Sequence, residues 1–596
     1  MLILKYYKRL VVLWANFWGS MKKQSFIIGA LILTIGGIIA KVIGAFYKIP
    51  LTNILGSNGM GLYYLVFPLY SLMFVFASSG ISMALSKCVA QERINKNKKN
   101  ESMYFNCALV ISFLLSLIFM LILILFSKNI SYAQGNINAF RSYIAIAPAL
   151  VCSSIVSVIK GYFQGIENMI PSSIAQIFEQ IIKLALGLYF SQKMMYMGVA
   201  YGVLGAIIGV TISETFTLII MTFNYVWYKK RENYKFFVLD AKYENIKRIE
   251  FKLKVVTRNV YTKPIIRKRK RPTSKLKILH FFAREDYLSY RCAYKNILKL
   301  AFPISLSSII IPLSSLFDSF MVVNVLLNKG FSTVTATSLY GISNGVVSSL
   351  ISLPIIVTTA LSTAIVPNLS GLIFHKSREE VGERASFYIK LTFLIALPMF
   401  LVFLTLSPDI INFLYGSGLN NRVVDEKAFA AIMLFISSVS IVYHCFLSTF
   451  ISILNAIGKP LIPFWIMSGG LVVRTLLCYL LVGMKNINVF GVVIANTVFL
   501  SLSAVICIIM IKRHLPIFYS ADRGFVRPAI CSFITGITVF ALKYVLKPYL
   551  VNWIYIGICG LVALIVYFVL ILLFKVFTKY ELKFLPNKKI FKNFKD

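Results

Sequence analysis

Gly36-Gly37-Ile38-Ile39-Ala40-Lys41-Val42-Ile43-Gly44-Ala45-Phe46-Tyr47-Lys48-Ile49-Pro50 is the stretch on which the reading of this chain turns. It forms the second half of the first apolar segment long enough to cross a bilayer, a segment that begins near Ser25. A lysine at the position of Lys41 costs about 2.5–3.5 kcal/mol on membrane-insertion scales, so it normally faces protein or a watery cavity and is a functional candidate. The competing reading is that Lys41 and Lys48 snorkel to the outer head groups. Lys41, however, lies well past the helix midpoint.

Composition supports a membrane setting for the whole chain. It has 596 residues, of which 58% are hydrophobic and 14% charged. Its mean hydropathy is +0.79. These values describe a polytopic membrane protein rather than a globular enzyme with one anchor. The formal net charge of +41 is concentrated in a few loops, the pattern produced by membrane topology and by contact with anionic lipid head groups. No nucleic-acid partner is expected. The nine cysteines are odd in number and scattered, and no Cys-x-x-Cys pair occurs, so neither a disulfide framework nor a zinc site is expected. No other metal site and no cofactor is called for. Met21-Lys22-Lys23 resembles a natural start, which would make the first twenty residues an upstream extension.

About fourteen apolar spans of helical length follow, making an all-α polytopic membrane protein. The expected layout is a cytoplasmic N-terminus (1–24), an N-lobe of helices 1–6 (25–227), and a basic cytoplasmic insert (228–298) containing Arg267-Lys268-Arg269-Lys270-Arg271. A C-lobe of helices 7–12 (299–511), helices 13–14 (512–577) and a basic cytoplasmic tail (578–596) complete it. Helix 7 is expected over 299–327 as one element. Lysine- and arginine-rich loops alternate with nearly bare ones. Lys87, Arg93, Lys96, Lys98 and Lys99 fill one loop, and Lys376, Arg378 and Arg384 another, whereas Lys128, Lys329 and Lys485 stand alone. The positive-inside rule then places both termini and the even-numbered loops in the cytoplasm.

The two halves echo each other. Ser78-Ser79-Gly80-Ile81-Ser82-Met83-Ala84-Leu85 closes helix 2, and Thr358-Thr359-Ala360-Leu361-Ser362-Thr363-Ala364-Ile365 closes helix 8. At the spacing of a second echo, Lys183 of helix 5 falls on Arg474 of helix 11. Two six-helix repeats enter the membrane with the same orientation, which gives a pseudo-twofold axis along the membrane normal and a central cavity between two lobes.

Within the spans, the ionisable residues singled out are Lys41, Glu179, Lys183, Glu214, Asp318, His444 and Arg474. Glu179 and Lys183 share a helix face with Gln176 and can neutralise each other, as a structural pair or as part of a substrate site. Asp318 lies on a polar stripe with Ser307, Ser308, Ser314 and Ser315. It can take a cation or proton, or serve as structural partner to Lys41 or Arg474. His444 reads as a packing histidine. Gly341-Ile342-Ser343-Asn344-Gly345 matches a nucleophile-elbow pattern but has no strand before it, and no nucleotide-binding Gly-Lys-Ser/Thr loop occurs, so the chain is not read as an enzyme.

Gly161-Tyr162-Phe163-Gln164-Gly165, with Pro171, Gln176 and Glu179-Gln180, resembles the polysaccharide-transport branch of the multidrug/oligosaccharidyl-lipid/polysaccharide exporter superfamily. Lys41-Val42-Ile43-Gly44 and Val366-Pro367-Asn368-Leu369-Ser370 also resemble that branch and the related lipid II flippase. The resemblance spans roughly residues 21–585 and implies a cell-membrane flippase that moves a lipid-linked saccharide outward by alternating access. The substrate, an undecaprenyl-pyrophosphate saccharide or peptidoglycan precursor, would be held by Lys41, Lys48, Ser79, Gly80, Gln176, Glu179, Lys183 and Arg474, with Asp318 as the cation-coupling residue. Anionic lipids and a coupling cation are the further partners it admits. A cation-coupled drug antiporter of the same superfamily is the first alternative, and Lys41 in place of an acid argues against it. A non-transporting membrane scaffold is the second.

Overall fold

The computed structural model describes residues 26–95, 97–258, 289–373, 377–416, 418–419, 425–484, 487–517, 522–578 and 581, with side chains from residue 32 onward except 232–258, 307, 363–364, 367–368, 371 and 373. The N-terminal segment 1–24, the Arg267–Arg271 run and most of the tail 578–596 lie outside the described residues. All described regular structure is helical. Among the described residues, thirteen stretches are long and apolar enough to cross a membrane. The chain is a multi-pass membrane protein.

The first of these stretches, Ile32–Ile94, is 63 residues long and holds both of the first two expected spans, so the count differs from fourteen. Its helix α1 (Phe26–Phe74) runs for 49 residues, with Gly56 at φ 69° and ψ −178° inside it. At 1.5 Å per residue such a run reaches about 73 Å, more than twice a hydrocarbon core of about 30 Å. Gly56 divides it, because only glycine enters that backbone region at little cost. A π-turn (Val75–Ser79) leads into α2 (Gly80–Ile94). The first lobe continues with α3 (Lys98–Leu125), α4 (Ser127–Ala133), α5 (Phe140–Gly165), α6 (Ile170–Met194) and α7 (Val199–Arg258). The sixth expected span ends at 227, but α7 runs on to Arg258.

The seventh expected span is two helices, α8 (Tyr290–Ser308) and α9 (Ile310–Leu327), meeting at Ile309. Pro312 explains the break. It has no N–H to give Ser308, and its ring crowds that carbonyl four residues back. The two pieces belong to different bodies. Ala293, Ile297 and Ala301 of α8 pack into the first lobe's core with Ile81, Leu85 and Phe105, whereas α9 lies between α14 and α1, at the boundary of the two lobes. The second lobe follows as α10 (Thr333–Gly341), a π-turn (Ile342–Val347), α11 (Ser348–Ile373), α12 (Arg378–Tyr415), α13 (Glu426–Ala456), α14 (Leu461–Val482) and α15 (Phe490–His514). A π-turn over Asp522–Val526, α16 (Arg527–Leu546) and α17 (Asn552–Leu573) close the fold. The nucleophile-like Gly341–Gly345 stretch is the start of the second π-turn inside a membrane helix.

At the lysine-poor end the lobes are sealed. A Cβ on Gly61 would stand 2.0 Å from the Thr337 carbonyl, and one on Gly341 would stand 2.1 Å from the Ser57 carbonyl, so the helices touch backbone to backbone. Asn53 donates to the Leu414 carbonyl (2.9 Å), Ser57 to Glu426 (2.5 Å), Asn136 to Thr337 (2.9 Å) and Asn324 to the Ala133 carbonyl (2.7 Å). The basic ends gather on the opposite side. There the buried Glu101 accepts from Tyr162 and faces Lys229 at 3.8 Å, and Arg93 donates to Tyr228.

One buried pair ties α9 to α14. Arg474 donates from both terminal nitrogens to Asp318, at 2.9 and 2.6 Å, and through Nε to Asn496 at 3.3 Å. Asp318 is 3% exposed and Arg474 5%, so neither has water to fall back on. Removing one partner of such a pair costs about 3–5 kcal/mol, whereas replacing both with apolar groups is often neutral. Arg474→Leu is therefore expected to lower the thermal midpoint of the detergent-purified protein sharply, and Asp318→Leu/Arg474→Leu to restore most of it. A double variant no more stable than the single one would show that the pair is not the source of the loss.

Candidate functional site

Helices α1 and α6 run side by side because small residues let them. The oxygen of Gln180 lies 3.0 Å from where a Gly44 Cβ would stand, Gln176 lies 3.9 Å from the same point at Gly37, and Ser173 donates to the Ile32 carbonyl at 2.9 Å. Gly37, Lys41, Gly44 and Lys48 recur at helical spacing and form one face of α1. Gln176, Gln180 and Lys183 do the same on α6. The packing brings the two polar faces together.

Three ammonium groups lie along this seam. Lys41 is exposed and its Nζ donates to Thr359 of α11 at 3.2 Å, crossing from the first lobe to the second. Lys48 Nζ sits 5.3 Å from the centre of the Tyr64 ring. Lys183 Nζ sits 5.5 Å from the Phe67 ring and 5.8 Å from the Tyr47 ring. Among the described residues, no carboxylate lies within 4.0 Å of any of the three. A ring face steadies an ammonium by about 0.5–2 kcal/mol without consuming its hydrogen-bond donors. The cations are thus tolerated in the membrane and still able to bind an anion.

The expected Glu179–Lys183 pair is not the one formed. Glu179 instead faces Lys160 of α5 at 3.6 Å and accepts from Gln180 at 3.1 Å, while Lys183 turns to the rings. Lys160 is the residue the sequence reading missed. Lys160 lies five residues before the end of α5, inside a stretch long and apolar enough to cross a membrane. Its signal was present in the Gly161–Gly165 run that follows it and continues the helix. Glu214 of α7 acts on the Lys183 charge together with Glu179 and Lys48, and has no hydrogen-bond or ion-pair partner among the described residues.

The other named residues lie apart from the seam. Gly80 is buried against α8, with the Ala301 carbonyl 2.5 Å from where its Cβ would stand, and Ser79 donates to its own helix at the Val75 carbonyl. Arg474 and Asp318 hold each other, which is one of the alternatives left open for Asp318. In this structure the guanidinium that pairs with Lys183 in the sequence echo is engaged rather than free. Of Val366–Ser370, the side chains at 367 and 368 lie outside the described residues.

Residues 27–249 match the family model described as a polysaccharide biosynthesis protein, and residues 296–577 match that described as lipid II flippase MurJ. Stage V sporulation protein B of Bacillus subtilis (strain 168) is 23% identical over 572 residues, covering 95% of this chain and 98% of that protein. Lipid II flippase MurJ of the same organism is 22% identical over 533 residues, covering 87% of this chain and 88% of that protein. A solved structure of lipid II flippase MurJ in an inward closed conformation superposes with a TM-score of 0.62 at 14% identity, over 91% of this chain and 98% of that one. That last likeness concerns the fold alone, and the helix order described above agrees with it. Along nearly its whole length the chain is thus similar to polysaccharide biosynthesis proteins in its first part and to lipid II flippases in its second.

Proposed function

We propose that this protein carries a lipid-linked saccharide with a pyrophosphate head group outward across the cytoplasmic membrane by alternating access. The observation that carries this reading is the set of three ammoniums, Lys41, Lys48 and Lys183, along the α1–α6 seam, with no carboxylate within 4.0 Å among the described residues. Charge-assisted hydrogen bonds from such groups are the natural ligands of a diphosphate. Gln176 and Gln180, on the same face, have the donors to meet sugar hydroxyls. The membrane potential favours the direction. A head group with about two negative charges gains roughly 2.3 kcal/mol per charge per 100 mV on moving outward, or about 5 kcal/mol. A cationic drug would meet like charge here, which weighs against antiport of such compounds.

The return of the empty carrier would leave the lysines unneutralised. A coupling cation at Asp318 must first displace Arg474, whereas Glu214 has no ion-pair partner among the described residues. The contacts at the lysine-poor end then form the outer gate of an inward-facing state, with both termini on the cytoplasmic side.

Two measurements test this. In a cysteine-free background, Asn328→Cys and Lys512→Cys sit on exposed positions at opposite ends of the fold. A membrane-impermeant thiol reagent added outside cells is expected to label position 328 alone, and labelling of position 512 would overturn the orientation.

The second uses proteoliposomes and a labelled undecaprenyl-pyrophosphate saccharide. Lys41→Ala is expected to slow translocation about 10–100-fold, the loss of one hydrogen bond to a charged group, with normal membrane abundance. Lys41→Arg is expected to retain much of the rate, since a guanidinium also pairs with phosphate. Normal translocation by Lys41→Gln would reject the lysine seam as the head-group site.

A further inference from the structure

Far from the lysine seam, a second cationic site lies where α12 meets α16. Asp409 of α12 is 2% exposed, yet it is a carboxylate near the end of a membrane helix. Two lysines from α16 and the turn after it converge on it. Lys543 reaches one carboxylate oxygen at 2.7 Å and the Thr405 carbonyl at 3.0 Å, and Lys547 reaches the other oxygen at 3.0 Å. Beside them opens a cavity of about 540 Å³ lined by Phe540, Lys543, Tyr544, Lys547 and Pro548. This is within the size range of small-molecule sites.

Charge and donor accounting point to an anion. Two ammoniums share one carboxylate, so the cluster keeps a net charge of about +1. Each ammonium has three donors. Lys543 donates to the Thr405 carbonyl and both ammoniums lie against Asp409, which leaves donors on both lysines, and both line the cavity. Asp409 fixes the two head groups in place, so little side-chain freedom remains to be lost on binding.

The depth of the site points to a lipid. Tyr544, Tyr549 and Trp553 are all strongly exposed and fall within ten residues of one another. Exposed tyrosine and tryptophan gather at the membrane–water interface, where lipid phosphates lie. The cavity wall below the lysines is aromatic, suited to the first methylenes of an acyl chain rather than to a hydrated ion.

We propose that Lys543 and Lys547, seated on Asp409 of α12, bind the phosphate head group of an anionic membrane lipid in the cavity along the end of α16. The site is independent of the translocation reading, because it shares no residue with the lysine seam.

The test is native mass spectrometry of the full-length detergent-purified protein, titrated with phosphatidylglycerol, with phosphatidylcholine and with inorganic phosphate. Thermal unfolding without added lipid checks that each variant is folded. Phosphatidylglycerol is expected to bind in preference to phosphatidylcholine, and Lys547→Gln to weaken it about tenfold. Lys547→Arg should preserve binding, as should Lys512→Gln at the opposite end of the fold. Equal binding of the two phospholipids, an unaffected Lys547→Gln protein, or an equal loss in Lys512→Gln would overturn the site and leave the lysines as snorkelling residues. Displacement of the lipid by millimolar inorganic phosphate would overturn its lipid character.

Discussion

A positive charge buried in hydrocarbon must be answered, and this constraint orders the whole structure. The chain answers its intramembrane cations in three ways. Arg474 is matched by a carboxylate with bidentate geometry, which welds α9 to α14. Lys390 is matched by Glu581 beyond the last helix, at 2.8 Å, and by the Val576 carbonyl, which pins the chain after α17 to the second lobe. Among the described residues, Lys48 and Lys183 lie against aromatic rings and Lys41 donates to a hydroxyl across the lobe boundary, with no carboxylate within 4.0 Å of any of them. The first two solutions spend the charge on architecture. The third leaves it available, and at Lys41 it does so across the boundary between the two halves.

Much of the architecture was legible because hydrophobic runs of membrane length are a strong signal. The spans, the alternation of basic loops and the echo between halves all follow from it. Lys41 was legible for the same reason, since a lone cation stands out in apolar sequence. The pairing of Asp318 with Arg474 was visible only as one alternative, because 156 residues separate the two and no local pattern selects among partners. Lys160 was hidden because it lies near the end of an apolar span, where a lysine is ordinary. The Lys543–Asp409–Lys547 cluster was hidden because each member lies near a helix end, where charge is ordinary, and only packing brings them onto one carboxylate. The break at Ile309 was concealed by hydropathy, which does not register what Pro312 does to a carbonyl four residues earlier.

The sealed end and the lysine seam are linked by α1 itself. Its first half carries Lys41 and Lys48, and beyond Gly56 its second half carries Gly61, which touches α10. Movement that separates Gly61 from Thr337 would be passed along the same helical run to the face that holds the cations. Helix α1 is thus placed to couple closure at one end with the state of the site.

The split of the seventh span bears on how the protein is made. The first lobe's core has a groove filled by Ala293, Ile297 and Ala301, which leave the ribosome only after the whole basic segment that precedes them. Until α8 is made, that part of the first lobe's core lacks its packing partner. Synthesis of the second lobe begins, at Ile309, one residue after that completion. A chain severed within the basic segment would leave an N-terminal fragment with an open apolar slot and a C-terminal fragment carrying the matching helix. Biogenesis of the two lobes is interlocked, and the interlock is a single helix that belongs to one half by sequence and to the other by packing.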